Sequence, residues 1–311
     1  MTTLTEDAAP LPPPTRAAGP RPRSVLVRAV RTRRGMVGLA LAGFVVLVAV
    51  VGPFVAPHSP NALLTVTFAK PSGAYPLGSD TLGRDVLSRV LAGGWVLLIM
   101  ATGATIFGVG VGAAAGISAA YLRGFADGFI MRTVDVILAF PSLVFALLLV
   151  SIIGPKLWLI TLAVGFTHAP AVARVMRSAT LDVSERDYVK VVELQGMRPA
   201  KVMRTELLPN LISPLMVELG LRLTYSIVLI AGLSFLGFGH APPAAHWGYM
   251  IQENRLGLAL NPWAVIVPAA LIAILTVGTN TFTDAVARVV IGVEHEADDP
   301  TIANVMAQAG R

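Results

Sequence analysis

The 311-residue chain is 55% hydrophobic and only 14% charged, with a mean hydropathy of +0.71. Soluble domains carry about 25% charged residues, so an ordinary soluble domain is excluded and an all-α membrane protein is expected. The net charge of +6 does not mark a nucleic-acid partner, because the basic residues cluster beside apolar spans, where they orient a membrane protein. The lack of cysteine excludes disulfides, thiolate metal sites and a cysteine nucleophile.

Residues 1–35 are rich in Pro and Ala, lack an apolar period, and carry seven arginines between Arg16 and Arg34. They are predicted to be a disordered basic cytoplasmic tail. A signal peptide fits poorly, since both the leading region and the apolar stretch are too long. The first span runs from Met36 to Val55, and the mixed stretch to residue 92 forms an extracytoplasmic segment. Within it Pro76 to Gly94 reads PLGSDTLGRDVLSRVLAGG. Arg84 and Asp85 there are a candidate pair, or a surface salt bridge of little energetic value.

The second span is Trp95 to Ala120. Gly108, Gly112 and Gly116 lie four apart on one stripe that admits a neighbouring backbone. No strand precedes this run and no acid follows at dinucleotide spacing, so it is not a phosphate cradle. A short loop, Tyr121 to Arg132, leads to a third span, Val134 to Ile153. Asp135 near its inner end snorkels or pairs with Arg132, and Pro141 kinks it. After a turn at Gly154-Pro155-Lys156, the fourth span is Leu157 to Ala173. It contains His168, a possible pathway residue or a hydrogen-bonded structural histidine.

Arg174 to Asn210 is the longest charge-dense stretch between spans, with seven Lys/Arg and five Asp/Glu. Ser184 to Asp187 has the form of a capping box. Tyr188, Val191 and Val192 share one face of the helix that follows. Gly196 is placed to stop it in a left-handed cap, and Pro199 suits the first turn of the next helix, which Pro209 ends. The object is either a knob for a partner to grip or an ordinary solvated loop.

The fifth span runs from about Pro214 to Phe238. Glu218 and Arg222 are spaced for a helical pair and are expected at its inner end, paired or facing the protein. An outer segment, His240 to Asn261, includes Pro242-Pro243 and Trp247; Trp247 and Trp263 suit an interfacial belt. The last span, Trp263 to Val286, carries Asn280 and Asp284 on one face. Residues 293–311 are expected to be a loose cytoplasmic tail. With six spans and a cytoplasmic N-terminus, 18 of the 24 Lys/Arg fall on inner segments and 5 outside, as the positive-inside rule asks.

Tyr188-Val189 and Gly196, followed twelve residues later by Leu208-Pro209-Asn210, resemble the EAA loop of ABC-importer permeases. Lys190-Val191-Val192 replace the family's Glu-Ala-Ala. Leu77 to Asp85 (LGSDTLGRD), Asp135 to Ser142 (DVILAFPS) and Leu233 to Gly237 (LSFLG) are similar to blocks of the second permease of dipeptide, oligopeptide and nickel importers. Many relatives have a Glu where this chain has Ile230. The resemblance, over about residues 28–292, implies a type I (MetI-like) permease core of five spans, 93–292, with an extra N-terminal helix in 36–92. It implies a coupling loop, 174–210, in which Tyr188, Val189, Lys190, Val191, Val192, Glu193, Gly196, Met197, Leu208 and Pro209 meet an ATPase. Gly108, Gly112 and Gly116 would pack helices, and His168, Asn280 and Asp284 are possible pathway residues.

The same resemblance implies a bacterial inner-membrane location with both termini cytoplasmic. Its partners would be a homologous permease, one or two ABC ATPases, an extracytoplasmic substrate-binding protein and membrane lipid. ATP and Mg would be bound by the ATPases; this chain has no Gly-x-x-x-x-Gly-Lys-Ser/Thr and no metal or catalytic constellation. The solute implied is a di- or oligopeptide, with nickel or glutathione as alternatives. An intramembrane enzyme or a passive channel would need paired catalytic residues or a pore-lining polar stripe at membrane depth.

Overall fold

The computed structural model describes residues 22–154, 156–239 and 244–292. In chain order the helices are α1 (Pro22–Arg31), α2 (Arg33–Val55), α3 (Val86–Ala92), α4 (Gly94–Leu122), α5 (Gly124–Leu138), α6 (Ser142–Ile153), α7 (Leu157–Ser184), α8 (Asp187–Leu194), α9 (Pro199–Val202), α10 (Leu208–Asn210), α11 (Ile212–Phe235), α12 (Trp247–Asn254) and α13 (Trp263–Ile291). A π-helical turn, Met203–Leu207, joins α9 to α10. Extended pairing among the described residues is limited to two isolated bridges, Leu63 with Arg84 and Ser79 with Asp85.

Five segments are long and apolar enough to cross a membrane: α2, α3 with α4, α7, α11 and α13. The pair α5 and α6 makes a sixth if counted as one span, but the two are bent by 92°. This corrects the expected loop at 121–132 and the expected merely kinked third span. Pro141 sits at the N-cap of α6 with ψ 128°; its missing N–H and locked φ end one helix there and start another.

Small residues set the spacing of the bundle. In hydrocarbon there is little hydrophobic drive between helices, so close van der Waals packing carries association. Gly108, Gly112 and Gly116 of α4 face the backbone carbonyls of Gly165, Ala169 and Ala173 on α7, and a Cβ at any of them would collide. The two helices therefore run in the same direction with backbones nearly touching. On the periphery, Gly38 of α2 and Gly278 of α13 approach each other in the same way. The central core gathers Leu97, Met100, Ile160, Val164, Ile227, Ile230, Leu233 and Leu271. Ile230 is fully buried here.

Several expectations are corrected. The basic tail predicted for 1–35 is helical from Pro22: α1 buries Val25 and Ala29 against Ala285 and Val286 of α13. Thr32 caps α2, its hydroxyl accepting from Gly35 N at 2.9 Å. Residues 1–21 and 293–311, and Pro242-Pro243, lie outside the described residues. Trp247 is not an interfacial residue: it is fully buried, and its indole donates to Val90 O at 2.7 Å. Trp263 is 42% exposed.

At the α12 end, residues 77–89 are stapled to the α12–α13 region by a buried polar network. Arg84 pairs with Asp80 at 2.6 Å and with Glu253; Arg89 pairs with Glu253 at 3.1 Å and with Asp80 at 3.3 Å. Asp85 does not pair with Arg84. It caps α3, accepting from Ser88 N at 3.1 Å, and lies 3.4 Å from the His58 ring. Asn254 accepts from Thr81 N, and Asn261 donates to Leu77 O and Ser79 O. The arginine is thus no surface ion pair; Arg84, Arg89, Asp80 and Asp85 are all buried.

Candidate functional site

The opposite end of the bundle carries the charge-dense stretch. Its first part is not a loop. α7 continues to Ser184 because Met176, Thr180 and Val183, at helical spacing, are buried. The capping box does not form: Arg186 is the N-cap of α8 without a side-chain hydrogen bond, and the Ser184 hydroxyl donates back to Leu181 O. α8 ends as the glycine requires, with Gly196 at φ +79°, a conformation that costs other residues about 1–2 kcal/mol. Pro199 opens α9 in its first turn. The helical path then runs through the π turn to Asn210, so Pro209 lies inside its last turn. Asn210 donates its side-chain amide to Glu206 O at 2.6 Å, close to where Pro209 offers no donor.

Below this segment lies its own apolar cluster. Val189, Val202, Leu207 and Leu211 pack with Val109, Ala113 and Ile117 of α4 and Val172, Met176 and Val183 of α7. The predicted face is therefore corrected. Val189, buried completely, faces inward with half-buried Tyr188 and Val192, whereas Val191 is 51% exposed. Lys190, Glu193, Gly196, Leu208 and Pro209 are exposed, and Met197 packs at the edge of the cluster. Leu194 was missed by sequence reasoning, yet at 88% it is among the most exposed large apolar residues. The i, i+3 pair Val191 and Leu194 was the available signal.

Ion pairs brace α5 to α7 beside the segment. Arg177 grips Asp127 through two hydrogen bonds of 2.6 Å, and Arg174 meets Asp135 at 2.6 Å. Asp135 thus pairs with Arg174, not Arg132.

The possible pathway residues do not converge. His168 is buried where α7 meets Gly108, and among the described residues its Nε2 has no hydrogen-bond partner. Asn280 and Asp284 lie on the exposed face of α13. A second polar line runs along α11. Glu218 accepts from Arg222 Nε at 2.9 Å, Arg222 sits 5.5 Å over the Tyr225 ring, and Ser226 meets Thr105 of α4 at 3.2 Å. Arg222 stands near the middle of the 24-residue α11, not at its inner end, which is why it is mostly buried and paired.

Residues 108–291 match the family model described as binding-protein-dependent transport system inner membrane component. The chain belongs to that family. It is therefore a membrane-spanning permease of an ABC importer. Residues 23–71 of this permease match the N-terminal TM domain of oligopeptide transport permease C. It is 34% identical to a putative peptide transport system permease protein of Brucella suis, covering 83% of this chain and 87% of that one. It is 30% identical to the dipeptide transport system permease protein DppC of Haemophilus influenzae, over 82% and 88% of the two chains. It is 34% identical to the glutathione transport system permease protein GsiD of Pectobacterium atrosepticum, over 69% and 71%.

Proposed function

We propose that this permease forms half of a translocation path for di- or oligopeptides and is driven through α8 by a partner ATPase. The observation that carries the coupling role is the exposure of Val191 and Leu194 on a helix braced from behind by Val189, Val202 and Leu207. Exposed apolar side chains beside Lys190 and Glu193 suit a groove with an apolar floor and a charged rim. The bracing matters equally, because a push on α8 is delivered to α4 and α7 rather than absorbed. In the orientation favoured by the distribution of Lys/Arg, α8 and both termini are cytoplasmic and the Arg84–Glu253 network is external. The chain supplies no ATP chemistry of its own. It also works with a homologous permease and an external binding protein.

Coupling follows from differential affinity. If the ATPases bind α8 more tightly in one arrangement of the spans, nucleotide-driven closure shifts the bundle toward it, and hydrolysis restores the other. The peptide assignment rests on the names of the relatives. Glutathione, itself a small peptide, is the second reading, favoured by the Pectobacterium relative.

The test is ATP turnover by the complex co-expressed with its ATPases and reconstituted with binding protein. Gly196→Val and Leu194→Glu are expected to lower substrate-stimulated turnover at least about tenfold while leaving assembly of the spans intact. Unchanged stimulation in both variants would overturn the coupling role. Labelling of Lys201 by an impermeant reagent from outside intact cells would overturn the orientation.

A further inference from the structure

The arginines around the α1–α2 junction take no part in the coupling described above. Arg28, Arg31, Arg33 and Arg34 are all exposed, and none makes an ion pair or side-chain hydrogen bond among the described residues. Arg288 is exposed on α13, against which α1 packs through Val25 and Ala29. Asp284, one turn earlier on α13, makes no ion pair with it. An apolar cavity of about 310 Å³ opens between α1, the helix that carries Arg28 and Arg31, and α4, α11 and α13. Leu26, two residues before Arg28, forms one of its walls, and Ile106, Leu219, Leu223 and Phe282 line it further in.

We propose that this corner binds an anionic phospholipid, its phosphate held by the arginines and one acyl chain laid in the cavity. Three observations converge on lipid. The cations stand at the boundary of a span, where an anionic leaflet attracts basic residues. They are arginines, whose planar forks match phosphate oxygens bidentately. The cavity begins on the same short helix and follows α11 from Met216 to Leu223. That is about 10 Å at 1.5 Å per residue, most of the ~15 Å of hydrocarbon in one leaflet. α1 is itself built for this boundary, with one side on α13 and Leu26, Val27, Arg28 and Arg31 exposed. This site rests on α2 crossing the membrane with its N-terminal end in the cytoplasmic leaflet. It is independent of the coupling role of α8 and of the solute.

The experiment uses the assembled transporter reconstituted in phosphatidylcholine discs with a minor share of phosphatidylglycerol. Lipid retained after detergent extraction is measured by native mass spectrometry. The wild-type complex is expected to retain phosphatidylglycerol selectively. Replacing Arg28, Arg31, Arg33 and Arg34 by Gln should weaken retention about fivefold per arginine removed, and replacement by Lys should restore part of it. Leu26→Trp, which fills the cavity and keeps every charge, should also lower retention. Because the Gln variant alters the charges that set orientation, Lys201 labelling and thermal melting establish that it is inserted and folded. If it is not, Leu26→Trp decides alone. Equal retention in wild type and folded variants overturns the proposal. So does displacement of the lipid by inorganic phosphate at low concentration, which would make this a free-anion site. Crosslinking of Leu26→Cys to the partner permease instead of lipid would also overturn it, by giving the cavity to protein.

Discussion

The two ends of the bundle use the same residue types to opposite effect. At the α12 end, Arg84 and Arg89 share Asp80 and Glu253 in a network from which solvent is excluded. At the α8 end, Arg174 and Asp135 meet with about 60% of each side chain exposed, and Lys190 and Glu193 remain open. A buried ion cluster tolerates no missing member, since the remaining charge is stranded in low dielectric. An exposed pair is screened by water and salt and contributes little. One end is thus a staple that fixes chain segments far apart in sequence. The other leaves its polar groups at the surface, within reach of a partner.

That contrast breaks most visibly at Glu253. Glu253→Ala leaves two buried guanidinium groups sharing the carboxylate of Asp80, and the expected loss is about 3–5 kcal/mol, read as a lowered melting temperature of the detergent-solubilised protein. A smaller loss, about 1–3 kcal/mol as for other overpacked cores, is expected for Gly112→Leu, because any side chain there meets Ala169 O and Val172. A melting curve unchanged by either substitution would deny the rigid half of the comparison. Leu194→Glu sharpens the other half. Substrate-stimulated ATP turnover should fall at least about tenfold, equivalent to about 1.4 kcal/mol, with melting unaltered. Arg174→Ala should be the mildest, below about 1 kcal/mol by denaturation; a larger effect would make that pair part of the staple class.

Much of this was legible in the residues. α2, α4, α7, α11 and α13 were visible as apolar runs because the bilayer fixes both their length and their composition. The glycine stripe on α4 was visible for a related reason, since close approach demands a missing side chain at fixed spacing. Three features were harder. Arg174 and Arg177 looked like the start of a loop, although Met176, Thr180 and Val183 kept helical period beneath them. Charges on one face of a helix mask its apolar face when composition is averaged. Pro141 announced a kink, but whether a helix bends gently or turns by 92° is decided by the neighbours that pack on each half. Trp247 was read by the general preference of tryptophan for interfaces. Its burial depends on Val90, distant in sequence, whose carbonyl accepts the indole N–H. Gly196 was readable because only a backbone requirement was at stake, and Leu194 was missed because exposure is a property of the whole fold.

The glycine seam between α4 and α7 has a mechanical corollary. With backbones in contact from Gly108 to Gly116, neither helix has room to slide toward the other, so the pair behaves as one stiff beam. α7, with 28 residues and Pro170 inside it, covers about 42 Å of helical path and meets α4 along its middle, from Gly165 to Ala173. A displacement of a few ångströms imposed at Ser184 is therefore shared with α4, to which the seam ties α7, rather than taken up between the two helices.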